Sequence, residues 1–153
     1  MAIKRYFANK DNTITDAFRS DLVTRGTGSN MGASDILEVF SIYGQANATS
    51  IEKTRFLIEF PMAGIEADRT ANVLPASGNV EFYLKIYNAK HPFTLPFQYD
   101  LNVLAISSSW QEGVGLDMEE YQDLTYDQLG SNWFRRSGST SWDNAGGDFH
   151  ALP

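Results

Sequence analysis

Apolar and polar positions alternate along much of this chain, the signature of half-buried strands, and no helical period of useful length competes with them. The clearest case is TRFLIEF at Thr54–Phe60. Phe56, Ile58 and Phe60 fall on one face and Arg55, Leu57 and Glu59 on the other. Pro61 ends the run, because proline has no N–H for a sheet ladder. A second strong pattern is VEFYLKIY, with Val80, Phe82, Leu84 and Ile86 on one face and Glu81, Tyr83, Lys85 and Tyr87 on the other. A third covers QYDLNVLAISSSW, where Tyr99, Leu101, Val103 and Ala105 alternate with polar positions. Shorter extended pieces are expected around Tyr6–Phe7 and Thr13–Phe18. ILEVFSIYG offers Ile36, Val39 or Phe40, and Ile42–Tyr43 to a core.

The connections are polar. Thr24–Asp35 is dense in Gly, Ser, Thr and Asn and reads as a long loop. AGIEADRTANVLPASG is a connection with one helical turn expected at Gly64–Ala71. After Trp110 no long strand pattern remains, and short helices are expected at Asp117–Gln122 or Tyr126–Leu129. Strands of 6–10 residues joined by loops without intervening helices predict an all-β fold, an antiparallel β-sandwich or jelly roll. Residues 1–12 read as an N-terminal arm and residues 13–153 as a single domain, with 111–153 its acidic, loop-rich part. The length of 153 residues suits one domain with a real core. There are no cysteines, which excludes disulfides, thiolate catalysis and cysteine metal sites. The N-terminus lacks the apolar core of a secretory signal, and no run of roughly 18 apolar residues offers a membrane span.

Charge changes the picture at one place. The net charge is −7, and eight of the 19 acidic residues lie after Gln111, against two of the 12 basic ones. An acidic chain without a basic stripe argues against nucleic-acid binding. The excess centres on WQEGVGLDMEEYQD, Trp110–Asp123. Calcium takes six to eight oxygen ligands, and a glycine-broken acidic loop can supply them from Asp117, Glu119, Glu120 and Asp123. No EF-hand pattern is present, and no other cofactor is implied. Glycoside hydrolysis needs two acids roughly 5–10 Å apart across a cleft, and nothing marks such a pair. The first reading is structural: Trp110 caps the core, Glu112 accepts hydrogen bonds from loop amides, and Gly113 and Gly115 permit positive φ. Tyr121, Trp133 and Trp142 are candidates for an aromatic platform that stacks on a sugar. His91 and His150 lack the spaced partners of a zinc site.

The order of elements resembles the DNRLRE-type β-sandwich domain, a jelly roll like those of carbohydrate-binding modules. The resemblance runs from about Asn12 to Asp148. It rests on NTI at Asn12–Ile14, GSNMG and DILEV within Gly28–Val39, and the strands Thr54–Phe60 and Val80–Tyr87. Its more specific elements are SSSWQEGVGLD at Ser107–Asp117, NW at Asn132–Trp133 and SWDNAGGDF at Ser141–Phe149. The opening MAIKRYFANKDNTITDAF, with GTGSNMG and DILEVFSIYGQ, is also similar to virion structural proteins of tailed phages of marine bacteria over the first 45 residues. Members of the sandwich family continue past the GGD segment with further strands. The chain is therefore expected either to continue beyond residue 153 or to be closed by a neighbouring subunit. Together these resemblances imply a non-enzymatic virion protein, present in many copies or as a homo-oligomer, that binds capsid, neck or tail proteins. Lys4, Arg5, Tyr6 and Phe7 would then form an arm that reaches a neighbour. A carbohydrate-binding module serving glycan or host-surface recognition is the alternative that the same fold allows.

Overall fold

Asn12, Thr13, Ile14 and Thr15 are buried without exception, because both faces of their strand are covered: Ile14 enters an apolar cluster while the polar neighbours are bonded to loops. That strand is β1, Lys10–Thr15, in a computed structural model that describes residues 3–75, 78–90, 97–116 and 129–150. β1 begins inside the stretch that the sequence assigns to an arm. β2 is Ser41–Tyr43 and β3 is Ile51–Glu59. The three form one sheet in the order β1-β3-β2. β2 pairs antiparallel to β3, with Ile42 opposite Glu52. β1 also runs against β3, since Asn9 donates to the Glu59 carbonyl at one end and Asp16 to that of Lys53 at the other. β4, Arg135–Ser137, and β5, Thr140–Ser141, make a tight antiparallel hairpin, the second sheet. The fold is β-rich with two antiparallel sheets and little helix.

The chain divides into two units, one made of Met1–Asn9 and Glu59–Leu101, the other of Lys10–Ile58 and Asn102–Pro153. The second unit holds the core cluster of Ile14, Leu57, Trp110, Trp133 and Trp142, with Ile106 packed against it. Burying side chains of this size stabilises by roughly 1.5–3 kcal/mol each. From β3 the residue that joins this cluster is Leu57. Phe56 and Ile58, on the face the pattern favours, are only half-buried. The other face of β3 is covered through polar residues. Glu52 is buried and accepts the Phe18 N–H, and Thr54 takes the Phe40 N–H on its hydroxyl.

The first unit carries the helix α1, Met62–Thr70, about twice the single turn that the sequence predicts. Pro61 precedes it, Arg69 in the last turn complements the helix dipole, and Asn72 leaves it with a φ of 56°. None of its residues is buried. The described arm residues up to Asn9 lie in this unit. Tyr6 donates to Asp68 Oδ2 at 2.6 Å and Lys4 pairs with the same oxygen at 2.9 Å.

Two expected strands are absent among the described residues. Val80–Tyr87 and Tyr99–Ala105 belong to no ladder, and only Ile106 makes an isolated bridge, to Phe149. Alternation favours an extended backbone, but a strand exists only with a partner. Among the described residues nothing pairs with Val80–Lys90. Ile36, Val39, Ile42 and Tyr43 are likewise exposed, not core. Of that stretch only Ser41–Tyr43 is a strand, lying at the sheet edge.

Candidate functional site

The motifs that looked most specific in the sequence converge in the second unit on one asparagine. Asn30, from GSNMG, is fully buried and uses every bonding position of its amide. Its Nδ2 donates to the carbonyls of Glu112 at 2.7 Å and Ser131 at 2.8 Å. Its Oδ1 accepts the N–H groups of Gly32 at 3.1 Å and Gly115 at 2.9 Å. Asn12, from NTI, repeats the pattern. Its Nδ2 bonds the Ser131 carbonyl and hydroxyl, and its Oδ1 takes the Met31 N–H. Three loops distant in sequence are thereby tied through side-chain amides, in the place where strand ladders would otherwise pair their backbone groups.

The glycines of WQEGVG are spacers for this knot. Gly113 has a φ of +85°, as its expected role requires. Gly115 does not have a positive φ. It is needed because a Cβ there would stand 2.0 Å from the Asn30 carbonyl oxygen. Glu112 Oε1 accepts the Asp11 N–H at 2.8 Å, so its carboxylate takes a backbone group as the sequence suggested, but one from strand β1 and not the loop amides expected. The Asp11 carboxyl itself is pushed up by burial and by the Glu112 charge.

The later motifs work in the same way. Asn132 Oδ1 takes the N–H groups of Phe134 and Arg135 and so turns the chain into β4. Trp142 Nε1 donates to the Asn132 carbonyl at 2.8 Å. Asp148, of GGD, accepts the N–H groups of Asp143 and Asn144 and the Ser108 hydroxyl. The Asp143 N–H contributes most to holding its carboxyl below the ordinary range, with the Asn144 N–H and the Ser108 hydroxyl adding to it against burial. Arg55 donates to the Gly146 carbonyl at 2.6 Å, with its guanidinium 5.2 Å from the Trp133 ring centre and 5.0 Å from that of Phe149.

The predicted site residues therefore separate. Trp133 and Trp142 are 8% and 5% exposed, so their faces are taken by the core and offer no platform to a sugar. Tyr121, Asp117, Glu119, Glu120 and Asp123 lie outside the described residues. Among the described residues no group of three or more His, Asp or Glu side chains is placed to hold a metal ion. Of the arm, Lys4 and Tyr6 are engaged by Asp68, while Phe7 and Arg5 are exposed. An open depression of about 440 Å³ lies over Lys10, Trp110, Glu112, Val114 and Leu129. Lys10 Nζ stands 5.4 Å from the Trp110 ring centre, and Glu112, the only carboxylate in the lining among the described residues, is already an acceptor for the backbone.

Sequence reasoning missed Asn12, Asn30, Asn132 and Asp148. Their signal was present: each is a short amide or acid inside a glycine- or serine-rich loop, where such side chains take over backbone bonding. No family model, curated protein or solved structure matches the chain.

Proposed function

We propose that this chain is a non-enzymatic structural subunit of a tailed-phage particle, an accessory piece on capsid, neck or tail that binds neighbouring particle proteins. The observation that carries the reading is the ribbon Val80–Tyr87. Phe82 is 67%, Tyr83 83%, Ile86 51% and Tyr87 81% exposed. Soluble monomers rarely keep large apolar side chains in such a row, and rows of this kind mark binding surfaces. Covering each would contribute roughly 1 kcal/mol or more. The similarity of the first 45 residues to virion proteins gives the setting. The motif residues support the same reading, since Asn30, Glu112, Asp148 and two of the tryptophans are consumed in holding loops together. In this reading the fold is a β-sandwich of the jelly-roll kind, and the ribbon and Tyr99–Ala105 gain ladder partners on assembly.

The test is peptide mass spectrometry of salt-washed particles of a phage that encodes the chain. Peptides of this chain at many copies per particle are expected. Their absence from washed particles, with the chain left in the lysate, would overturn the proposal.

A further inference from the structure

Val80–Ile86 reads Val-Glu-Phe-Tyr-Leu-Lys-Ile, and its chemical types run in the same order from either end. Apolar residues occupy both ends and flank the central Tyr83, while the two remaining positions are charges of opposite sign. Two contacts link residues two apart on its polar side, the spacing at which side chains share a face in an extended chain. Tyr83 Oη donates to Glu81 Oε2 at 2.5 Å, and Lys85 Nζ stands 4.9 Å from the centre of the Tyr87 ring. The segment belongs to no strand of the chain, and Glu81–Lys90 are all exposed, so residues of both parities face solvent.

Resting on the reading of the chain as an assembly subunit, we propose that two copies pair antiparallel along Val80–Ile86, with the two-fold axis at Tyr83. In that register Glu81 faces Lys85 of the partner subunit, and the same pair recurs on the other side of the axis. Val80 faces Ile86 of the partner subunit and Phe82 faces Leu84 of the partner subunit, so the apolar face stays continuous across both copies. Opposite charges and apolar pairs directly across an antiparallel ladder stabilise it, and like charges there destabilise it. A one-residue slip sets apolar against polar positions. A two-residue slip leaves both charges without a partner. Parallel in-register pairing sets Glu81 against itself. Only the Tyr83-centred register satisfies every position, as an isologous contact requires. A seven-residue ladder is small beside the roughly 1,200–2,000 Å² of a stable complex. The single contact is accordingly weak, and many copies on one particle supply its strength.

Because the chain has no cysteine, single cysteines report the register directly. In the full recombinant chain under mild oxidation, Tyr83→Cys is expected to cross-link to itself. Glu81→Cys and Lys85→Cys are each expected to stay monomeric alone and to cross-link when mixed. By sedimentation equilibrium, Glu81→Lys should raise the dimer dissociation constant roughly tenfold. The exchange Glu81→Lys with Lys85→Glu should restore it. Near-ultraviolet circular dichroism of the tryptophans checks that each variant is folded. Equal cross-linking of all the cysteine variants, a monomeric Tyr83→Cys, or an exchange variant as weak as the single one would overturn the pairing. If the pairing fails while washed particles contain the chain, the pairing alone is wrong. If it holds while particles lack the chain, the subunit reading alone fails.

Discussion

Replacing Asn30 tests the polar knot most severely. Asn30→Ala removes four hydrogen bonds, but the Ser131 carbonyl keeps its bond from Asn12 Nδ2, so three groups lose a partner: the half-buried Glu112 carbonyl and Gly32 N–H and the buried Gly115 N–H. At about 1 kcal/mol or somewhat more for each, the loss is about 3–4 kcal/mol. A domain of this size is stable by about 5–15 kcal/mol, so the midpoint of thermal unfolding should fall by about 10 °C. Asn30→Asp separates hydrogen bonding from shape. One carboxylate oxygen keeps the bonds from Gly32 and Gly115, while the other faces the carbonyls of Glu112 and Ser131 and cannot donate. The introduced acid is buried, so its folded-state pKa rises above the unfolded value of about 3.9. A raised folded pKa means that stability is present below the unfolded pKa and is lost as pH rises through the folded one. Asn30→Asp should therefore be weakest at neutral pH. On acidification it should recover by about 1.4 kcal/mol for every pH unit that separates the folded and unfolded pKa values. Asn30→Ala should show no such recovery relative to the parent. Denaturant unfolding followed by tryptophan fluorescence reads this directly, since Trp110, Trp133 and Trp142 are all buried in the same unit. A loss below about 1 kcal/mol for Asn30→Ala, or parallel pH profiles for the two variants, would refute the reasoning.

Gly115→Ala should cost about 3 kcal/mol through its contact with the Asn30 carbonyl, measured by the same unfolding curves. Trp142→Phe removes the indole N–H from the buried Asn132 carbonyl and should lower stability by about 2 kcal/mol. The Tyr6 phenol, whose pKa is pushed up to about 12 first by its hydrogen bond to Asp68, should return toward 10.0 in Asp68→Asn, as ultraviolet titration would read. Asp68 is held below its ordinary value by its bonds from Tyr6 and Lys4, so the stability it gives is present above the unfolded pKa. It should disappear as pH falls through the lower folded value, and Asp68→Asn should flatten that part of the acid unfolding profile. Asp11 has the opposite sign. Its raised pKa makes ionisation unfavourable in the fold, so Asp11→Asn should be the more stable form at neutral pH and should lose that advantage below about pH 4.

The β-rich class was legible because alternation is a local signal, and β3 and its stop at Pro61 follow from it. The ladder partners were not legible. VEFYLKIY alternates as cleanly as TRFLIEF, yet pairing depends on what lies beside a segment, which periodicity does not encode. The covered face of β3 was also obscure. Phe56 and Ile58 outweigh Arg55 and Leu57 in hydrophobicity, but Arg55 reaches the Trp133 and Phe149 rings and Leu57 the tryptophan cluster. Glu112 was readable as an acceptor of backbone amides because Gly113 and Gly115 announce a tight backbone around it, but its donor, Asp11 of β1, was not. Asn30 was not, since its four partners come from residues up to 101 positions away, and such convergence is a property of the fold.

The most direct test of the division between a loop-holding knot and an assembly-forming ribbon is hydrogen–deuterium exchange, on the dilute chain and on the chain bound in washed particles. The amides of Met31, Gly32 and Gly115 should be protected in both, and those of Val80–Tyr87 should exchange fast in the dilute chain and slowly in the particle. Protection of Val80–Tyr87 already in the dilute chain, or no gain in the particle, would contradict it.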